Sequence, residues 1–322
     1  MSVLILAEEL DISADHMVQA LTEREVSVHR IDLAWFPSQL SIDAELRGDR
    51  WVGRLTTPHR EIELEELRAI WYRSPATFQF PAQLSATDRQ HSHIEAKLGL
   101  GGVLLSLPVL FVNNPSRQAD AIYKPRQLCA AAQAGLRVPA TLVASTKSAV
   151  RRFVAAQAGE VVTKMFGSNS ITEEAGRKVA FTRRIAPADL ADLDGIHLTA
   201  HQFQRMIDPK AHDARLVVIG DRQFGFAIHA STPEARLDFR YDYSALRYEP
   251  IDIPHDVAQG VSRLMSMLGL MFAATDFVVE PTGEWVFIGD LNPGGQYGWL
   301  EAETGVPLTA CLADLLVQGA AP

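Results

Sequence analysis

Three oxygen-bearing side chains crowd into one stretch near the C-terminal end of the chain, GLMFAATDFVVEPTGEWVFIGDLNPGGQ, from Gly269 to Gln296. Phe277-Val278-Val279 and Trp285-Val286-Phe287-Ile288 have strand propensity, and Pro281-Thr282-Gly283 supplies a turn between them. A hairpin loop of about three to five residues would set Asp276 opposite residues 288 to 290. Asp290 and Asn292 stand two apart, so on a strand they share a face. Two carboxylates and an amide oxygen gathered in this way suit a hard divalent cation such as Mg2+, which prefers oxygen ligands and keeps substrate phosphates in its shell. Asp and Asn also decorate ordinary surface hairpins, so the stretch alone leaves both readings open.

Two lysines could supply the matching cations for phosphate. Lys164 closes the apolar strand Val161-Val162-Thr163 and precedes Met165-Phe166-Gly167-Ser168-Asn169-Ser170, a small polar loop whose backbone N–H groups could cradle phosphate oxygens. No G-x-x-x-x-G-K-[ST] occurs, which argues against a P-loop, and no G-x-G-x-x-G follows the first strand, which argues against a dinucleotide fold. Taken singly, Lys164 could be a surface lysine with a buried stem. Asp213 and Arg215 lie two apart in the apolar strand Asp213–Gly220, either as an exposed ion pair or as a buried working pair. His201–Asp208 reads as an amphipathic strand whose backbone and apolar side chains could wall a flat base.

In order, the segments K-P-R-Q-L-C-A-A-A-Q-A-G-L-R-V-P-A-T-L-V from Lys124, V-V-T-K at Lys164, H-Q-F-Q-R-M-I-D, D-A-R-L-V-V-I-G and D-F-V-V…G-D-L-N-P-G-G-Q resemble the ATP-grasp ligases. Asp290 stands where the family usually has Glu, which keeps the carboxylate on a shorter arm. Pro293-Gly294-Gly295-Gln296 after the asparagine and Trp71-Tyr72-Arg73-Ser74-Pro75 near the start resemble the branch that matures ribosomal peptides, the graspetide or microviridin-type macrocyclases. The resemblance implies an α/β (α+β) ATP-grasp fold, with an open α/β domain over residues 1–113. Two subdomains, 114–200 and 201–322, would then clasp ATP. It implies Lys124, Lys164, Gly167 and Ser168 on the phosphates, Gln204, Arg205 and Ile207 at the adenine, and Asp213 at the ribose. Arg215 falls on the transferred phosphoryl group, and Asp276, Asp290 and Asn292 on Mg2+, two ions being expected.

Such enzymes turn a carboxylate into an acyl phosphate that a hydroxyl or amine then displaces. The carboxylate must approach a like-charged γ-phosphate, and a metal with an arginine fork would screen that approach. Arg240, Asp238, His229 and Arg73 are the candidates for the peptide substrate: Arg240 for the carboxylate to be activated, and Asp238 or His229 to orient or deprotonate the attacking group. A structural histidine and a solvated loop over Arg236–Asp242 would account for the same residues. Three functions stay open. The first is a macrocyclase joining Asp or Glu side chains of a precursor, with its leader and core, to Thr/Ser hydroxyls or Lys amines. The second is a ligase acting on amino acids or a protein C-terminus. The third is a degenerate partner that binds ATP and leader without catalysis.

The elements that must carry these residues are legible in outline. Val3–Leu6, Val26–Ile31 and Ala69–Arg73 read as strands around a helix from Ser13 to Glu25. Gly48-Asp49 marks a hairpin, and one helix is expected from about Ser116 to Ala134. A chain of 322 residues, 47% apolar and 21% charged, can build several packed subdomains. A net charge of −9 argues against nucleic acid as partner, and two cysteines offer neither a disulfide framework nor a zinc site. No apolar run approaches the roughly 20 residues of a membrane helix, and MSVLILAEEL reads as a first strand rather than a signal peptide. The expected setting is cytoplasmic, and the resemblance to the ATP-grasp peptide maturases implies a homodimer.

Overall fold

The structure is a computed structural model and describes residues 1–167, 170–173 and 176–319. The chain divides into two compact units, one of residues 1–119, 270–272 and 296–322, the other of residues 120–269 and 273–295.

In the first unit β1 (Ser2–Ala7), α1 (Ile12–Thr22) and β2 (Ser27–Ile31) are followed by β3 (Ser41–Arg47), β4 (Arg50–Thr57), β5 (Arg60–Glu63) and β6 (Leu67–Ser74). Next come α2 (Ala86–Leu105), β7 (Leu110–Val112) and α3 (Pro115–Ala121). A parallel sheet of order β2-β1-β6-β7 carries the core, and β3-β4-β5 form a separate antiparallel meander. β1 is buried along its whole length, as the unbroken run SVLILA requires of a central parallel strand. Gly48, at φ +67°, closes the β3–β4 turn. Leu4, Leu6, Ile31, Ile70, Leu100 and Leu104 pack between sheet and α2, a helix that the sequence reading did not anticipate.

The second unit opens with α4 (Lys124–Gln133), β8 (Thr141–Ala144), α5 (Lys147–Ala156) and β9 (Val161–Lys164). After a short hairpin, β10 (Ser170–Glu173) with β11 (Gly176–Val179), come β12 (Arg183–Arg184), α6 (Pro187–Ala191) and β13 (His201–Arg205). β14 (His212–Ile219), β15 (Arg222–Ala230), α7 (Pro233–Leu237), β16 (Leu246–Ile251), α8 (His255–Leu268), β17 (Phe272–Val279) and β18 (Trp285–Asn292) complete it. Two antiparallel sheets result, β12-β9-β13-β8 and β16-β15-β14-β17-β18. Ile207, Val278, Val286 and Ile288 form an apolar cluster of their own here. The chain then returns to the first unit as α9 (Gly298–Thr304) and α10 (Leu308–Gln318).

The single helix expected over residues 116–134 is two, broken at Ile122-Tyr123. Pro125 is the cause: it has no N–H to give and suits only the first turn of a helix, so α4 starts afresh at Lys124. After α4 the chain runs without regular structure to β8 at Thr141, save that Arg137 makes an isolated bridge to Val286. Among the described residues no helix is long and apolar enough to cross a membrane.

Candidate active site

The β17–β18 hairpin forms as its turn residues require, with residues 280–284 as its loop. Thr275 pairs with Leu291 and Phe277 with Phe287, so Asp276 alone faces Ile288, Gly289 and Asp290 across a bulge. Bulges re-aim side chains, and this one depends on Gly289. Its φ is +75°, and a Cβ there would lie 2.8 Å from Leu128 Cγ. Ala274 pairs with Asn292, so Asp276, Asp290 and Asn292 project from one face of the sheet. Helix α4 fixes the strand that carries two of them. The buried Gln127 amide accepts from Leu291 N at 3.0 Å and donates to Leu291 O at 2.8 Å, mimicking a neighbouring strand.

Each carboxylate meets a cation of the same unit. Arg215 clasps Asp276 with both arms, Nε to Oδ1 at 2.7 Å and Nη2 to Oδ2 at 2.9 Å. Its guanidinium also lies 5.6 Å from the Phe239 ring centre. Burial disfavours the Arg215 charge, but Asp276 more than compensates and raises its pKa. Lys124 Nζ stands 3.4 Å from Asp290 Oδ1. Burial would raise the Asp290 carboxyl, yet Lys124, Lys164, Arg240 and Arg215 together hold it below its ordinary value. Asn292 Oδ1 accepts from Gly294 N at 3.0 Å, closing a tight turn.

Lys164, at the end of β9, donates to Ile288 O at 2.5 Å. Burial is the main force on it and pushes its pKa down to about 8, against the pull of Asp290. Gln204 on β13 donates to Thr141 Oγ1 at 3.0 Å and to the same Ile288 carbonyl at 3.4 Å. Lys164, Gln204, Arg205, Ile207, Asp213 and Ile288 line one cleft, joined by Lys210 and Arg236. Asp213 is buried, and Lys210 Nζ donates to its oxygens at 2.8 and 2.7 Å. Burial outweighs that partner and lifts the Asp213 carboxyl to about 6. Lys210 was missed in the sequence, although its place three residues before Asp213 was a signal; nothing local marked Gln127. Gly167 is exposed, and Ser168 lies outside the described residues.

The substrate candidates divide. Arg240 forks Asp238, Nε to Oδ1 at 2.8 Å and Nη2 to Oδ2 at 2.7 Å. Asp238 also accepts from Thr182 N at 2.9 Å. Burial would raise Asp238, but the Arg240 fork and backbone donors bring it down to about 2. His229 is not brought together with them. Asp213 pairs with Ile228 and Arg215 with Phe226, so His229 projects from the opposite face of that sheet. There it sits 3.2 Å from Glu249 Oε1 and beside the His212 ring. Arg73 belongs to the first unit, with Nε 3.5 Å from Asp11 Oδ2 and its guanidinium over Trp71.

The donor set bears on the cation. Among the described residues no group of three or more His, Cys, Asp or Glu could hold a metal, so any metal here rests on two carboxylates and the Asn292 amide. All three are hard oxygen donors on one face, the set that Mg2+ favours over softer metals.

No curated protein matches the sequence. A family model described as the MvdD pre-ATP grasp domain matches residues 2–119. Among solved structures, macrocyclase MdnC of Microcystis aeruginosa MRC, bound with its precursor peptide MdnA, is 28% identical over 99% of this chain and 100% of its own, with a TM-score of 0.85. A RiPP-associated ATP-grasp ligase of Chryseobacterium gregarium, in complex with ADP and a leader and core peptide, is 25% identical over 100% and 98%, with a TM-score of 0.89. Macrocyclase MdnB of the same Microcystis strain is 26% identical over 98% and 99%, at 0.79. Over its full length the chain thus has the fold of the ATP-grasp ligases that act as peptide macrocyclases, and it opens with a segment similar to their pre-ATP-grasp domain.

Proposed function

We propose that this ligase uses ATP and Mg2+ to activate Asp or Glu side-chain carboxylates of a ribosomal precursor peptide, and joins them to Thr or Ser hydroxyls or Lys amines as macrocyclic esters or amides. The observation that carries the reading is the cluster at the β17–β18 bulge. Asp276 and Asp290 stand there among Lys124, Lys164, Arg215 and Arg240, a set matched to a polyphosphate with its metal. The ADP and peptide complexes of its relatives support the same reading.

The nucleotide's base would enter the cleft beside Gln204, the Arg205 backbone and Ile207, with Asp213 toward the ribose. Lys124, Lys164, Gly167 and Ser168 would meet the phosphates. The cavity there is about 70 Å³, whereas ligand sites typically offer roughly 300–1,000 Å³. The long side chains of Lys164, Lys210 and Arg236 must therefore swing aside on binding. Asp276, Asp290 and Asn292 would hold the metal, which supplies charge neutralisation on the phosphate oxygens. Asp276 is shared between that role and Arg215, so Arg215 turns from the carboxylate to the transferred phosphoryl group as the nucleotide arrives.

The substrate carboxylate oxygen then attacks the γ-phosphorus and ADP leaves. The peptide hydroxyl or amine attacks the acyl carbon, and inorganic phosphate departs. Arg240, preset by Asp238, is the guanidinium for the substrate carboxylate. A carboxyl held near 2 is a poor base, so Asp238 orients Arg240 rather than taking the proton. His229, on the opposite face of its sheet, keeps a substrate role only away from this cluster, and Arg73 of the first unit stays a candidate for the peptide. The enzyme would work in the cytoplasm, as a homodimer.

The test is mass spectrometry of a Thr- and Asp-rich precursor encoded beside the gene, incubated with enzyme, ATP and Mg2+. Each ring closure removes one water, and Asp290→Asn, which conserves volume but removes a carboxylate, should abolish the loss. An unmodified precursor, with dehydration of free amino acids or a protein C-terminus instead, would move the chain to the second class of ligase.

A further inference from the structure

Gln202 is a buried amide for which the site described above has no use. It is 1% exposed on an inner strand, β13, of its four-stranded sheet, and neither its Nε2 nor its Oε1 has a hydrogen-bond partner among the described residues. Buried polar groups are nearly always paired, and one left without a partner is costly enough to need an explanation. Its direction is set by register. Gln202 pairs across the strands with Lys164 and stands two residues before Gln204, so all three project from the same face. That face is the cleft face, since Lys164 and Gln204 both reach the Ile288 carbonyl. The opposite face carries Phe203 and Val161 into the helix-covered core.

We infer that Gln202 reads the edge of the purine base, its Nε2 donating to N7 and its Oε1 accepting from the N6 amino group of adenine. The proposal rests on the nucleotide site proposed above and names a residue that selects the base. Chemistry favours a base edge over a phosphate. Gln202 offers one donor and one acceptor, and both need partners. Phosphate oxygens only accept, so they would leave Oε1 unpaired, and Lys164 already supplies a cation. The N6/N7 edge of adenine offers the complementary donor and acceptor, the pairing glutamine makes with adenine in nucleic-acid recognition. Guanine presents O6 and N7, both acceptors, and would leave Oε1 facing an oxygen.

Calorimetry with ADP, GDP and 7-deaza-ADP tests the assignment on the full chain and on Gln202→Leu. One bidentate base contact discriminates by roughly tenfold to a hundredfold, so the unaltered protein should prefer ADP to GDP and to 7-deaza-ADP by about that much. Gln202→Leu should bring the three affinities within a fewfold of one another. It should also melt a few degrees higher without nucleotide, because an unpaired amide is replaced by an apolar group of similar size. That second readout shows that a loss of ADP affinity is not a loss of fold. A variant that keeps the original ADP-to-GDP ratio overturns the assignment. Failure of the unaltered protein to bind any of the three would instead remove the nucleotide site itself, and the inference with it.

Discussion

Lys164 is where burial and charge compete most openly. Its folded pKa of about 8 lies below the ordinary 10.5, with burial the first cause. Below pH 8 the lysine is charged both folded and unfolded, and the cost of burying that charge is present in full. Between about 8 and 10.5 the unfolded chain holds more protons, so this residue makes the free protein more stable as pH rises. Nucleotide affinity should run the other way. A polyphosphate favours the charged form, so ADP binding should take up a proton above pH 8 and weaken as pH rises further. Calorimetry in buffers of different ionisation enthalpy would measure that uptake; pH-independent binding from 7 to 10 would place Lys164 away from the phosphates. Arg240 and His229 make a second comparison at this scale. Positioning errors near 1 Å can cost about a hundredfold in rate, so Arg240→Ala should lower turnover by at least that much while leader affinity barely changes. His229→Ala, altered on the opposite face of the sheet, should leave turnover within a fewfold.

At the scale of elements, the site depends on how α4 meets β18. Leu128 fills the space that Gly289 leaves open, and Gly289 adopts a left-handed backbone that permits the bulge. Gly289→Ala should therefore destabilise the protein by about 1–3 kcal/mol and misplace Asp290. Adding Leu128→Ala removes the clash but not the backbone strain, so the double variant should recover part of the stability and little of the turnover. Denaturant melts and precursor turnover on both variants separate the two effects. Full activity in Gly289→Ala would mean the bulge does not aim Asp290. The hairpin was legible in the sequence because its signals are local: β-branched and aromatic runs, a Pro-Thr-Gly turn, and two-residue spacing. The bulge was not, because it needs the contact between Gly289 and Leu128, residues distant in sequence. Pro125 misled for a related reason. A proline can sit at the start of a helix or interrupt one, and the composition of residues 116–134 does not distinguish these cases. The parity that turns His229 away from Arg215 follows from the pairing of β14 with β15, again a non-local fact.

For the whole molecule, the chain enters its first unit, leaves it at residue 119, and returns for residues 270–272 and 296–322. Composition gave no sign of that return, since it depends on contacts between residues distant in sequence. The returning segment is structural. Leu308, Cys311, Leu312 and Leu316 of α10 are buried, and α10 packs against α1 and β6. Arg24 at the end of α1 donates to Asp314 at 2.8 Å and to the Ala310 carbonyl at 3.1 Å. Phe272 and Tyr297, both in this unit, stack edge to face with centres 5.7 Å apart. Burying a large apolar side chain contributes about 1.5–3 kcal/mol, so losing several such contacts removes a free energy comparable with the whole margin of roughly 5–15 kcal/mol that holds a domain folded. Residues 1–119, although matched as a domain, should accordingly fail to fold when expressed alone. Circular dichroism should show loss of cooperative melting, and a fusion of residues 1–119 to residues 296–322 through a flexible linker should restore it. A cooperative melt from residues 1–119 by themselves would show that α1 and β6 do not need α10, and that the returning helices serve the first unit only as a covering.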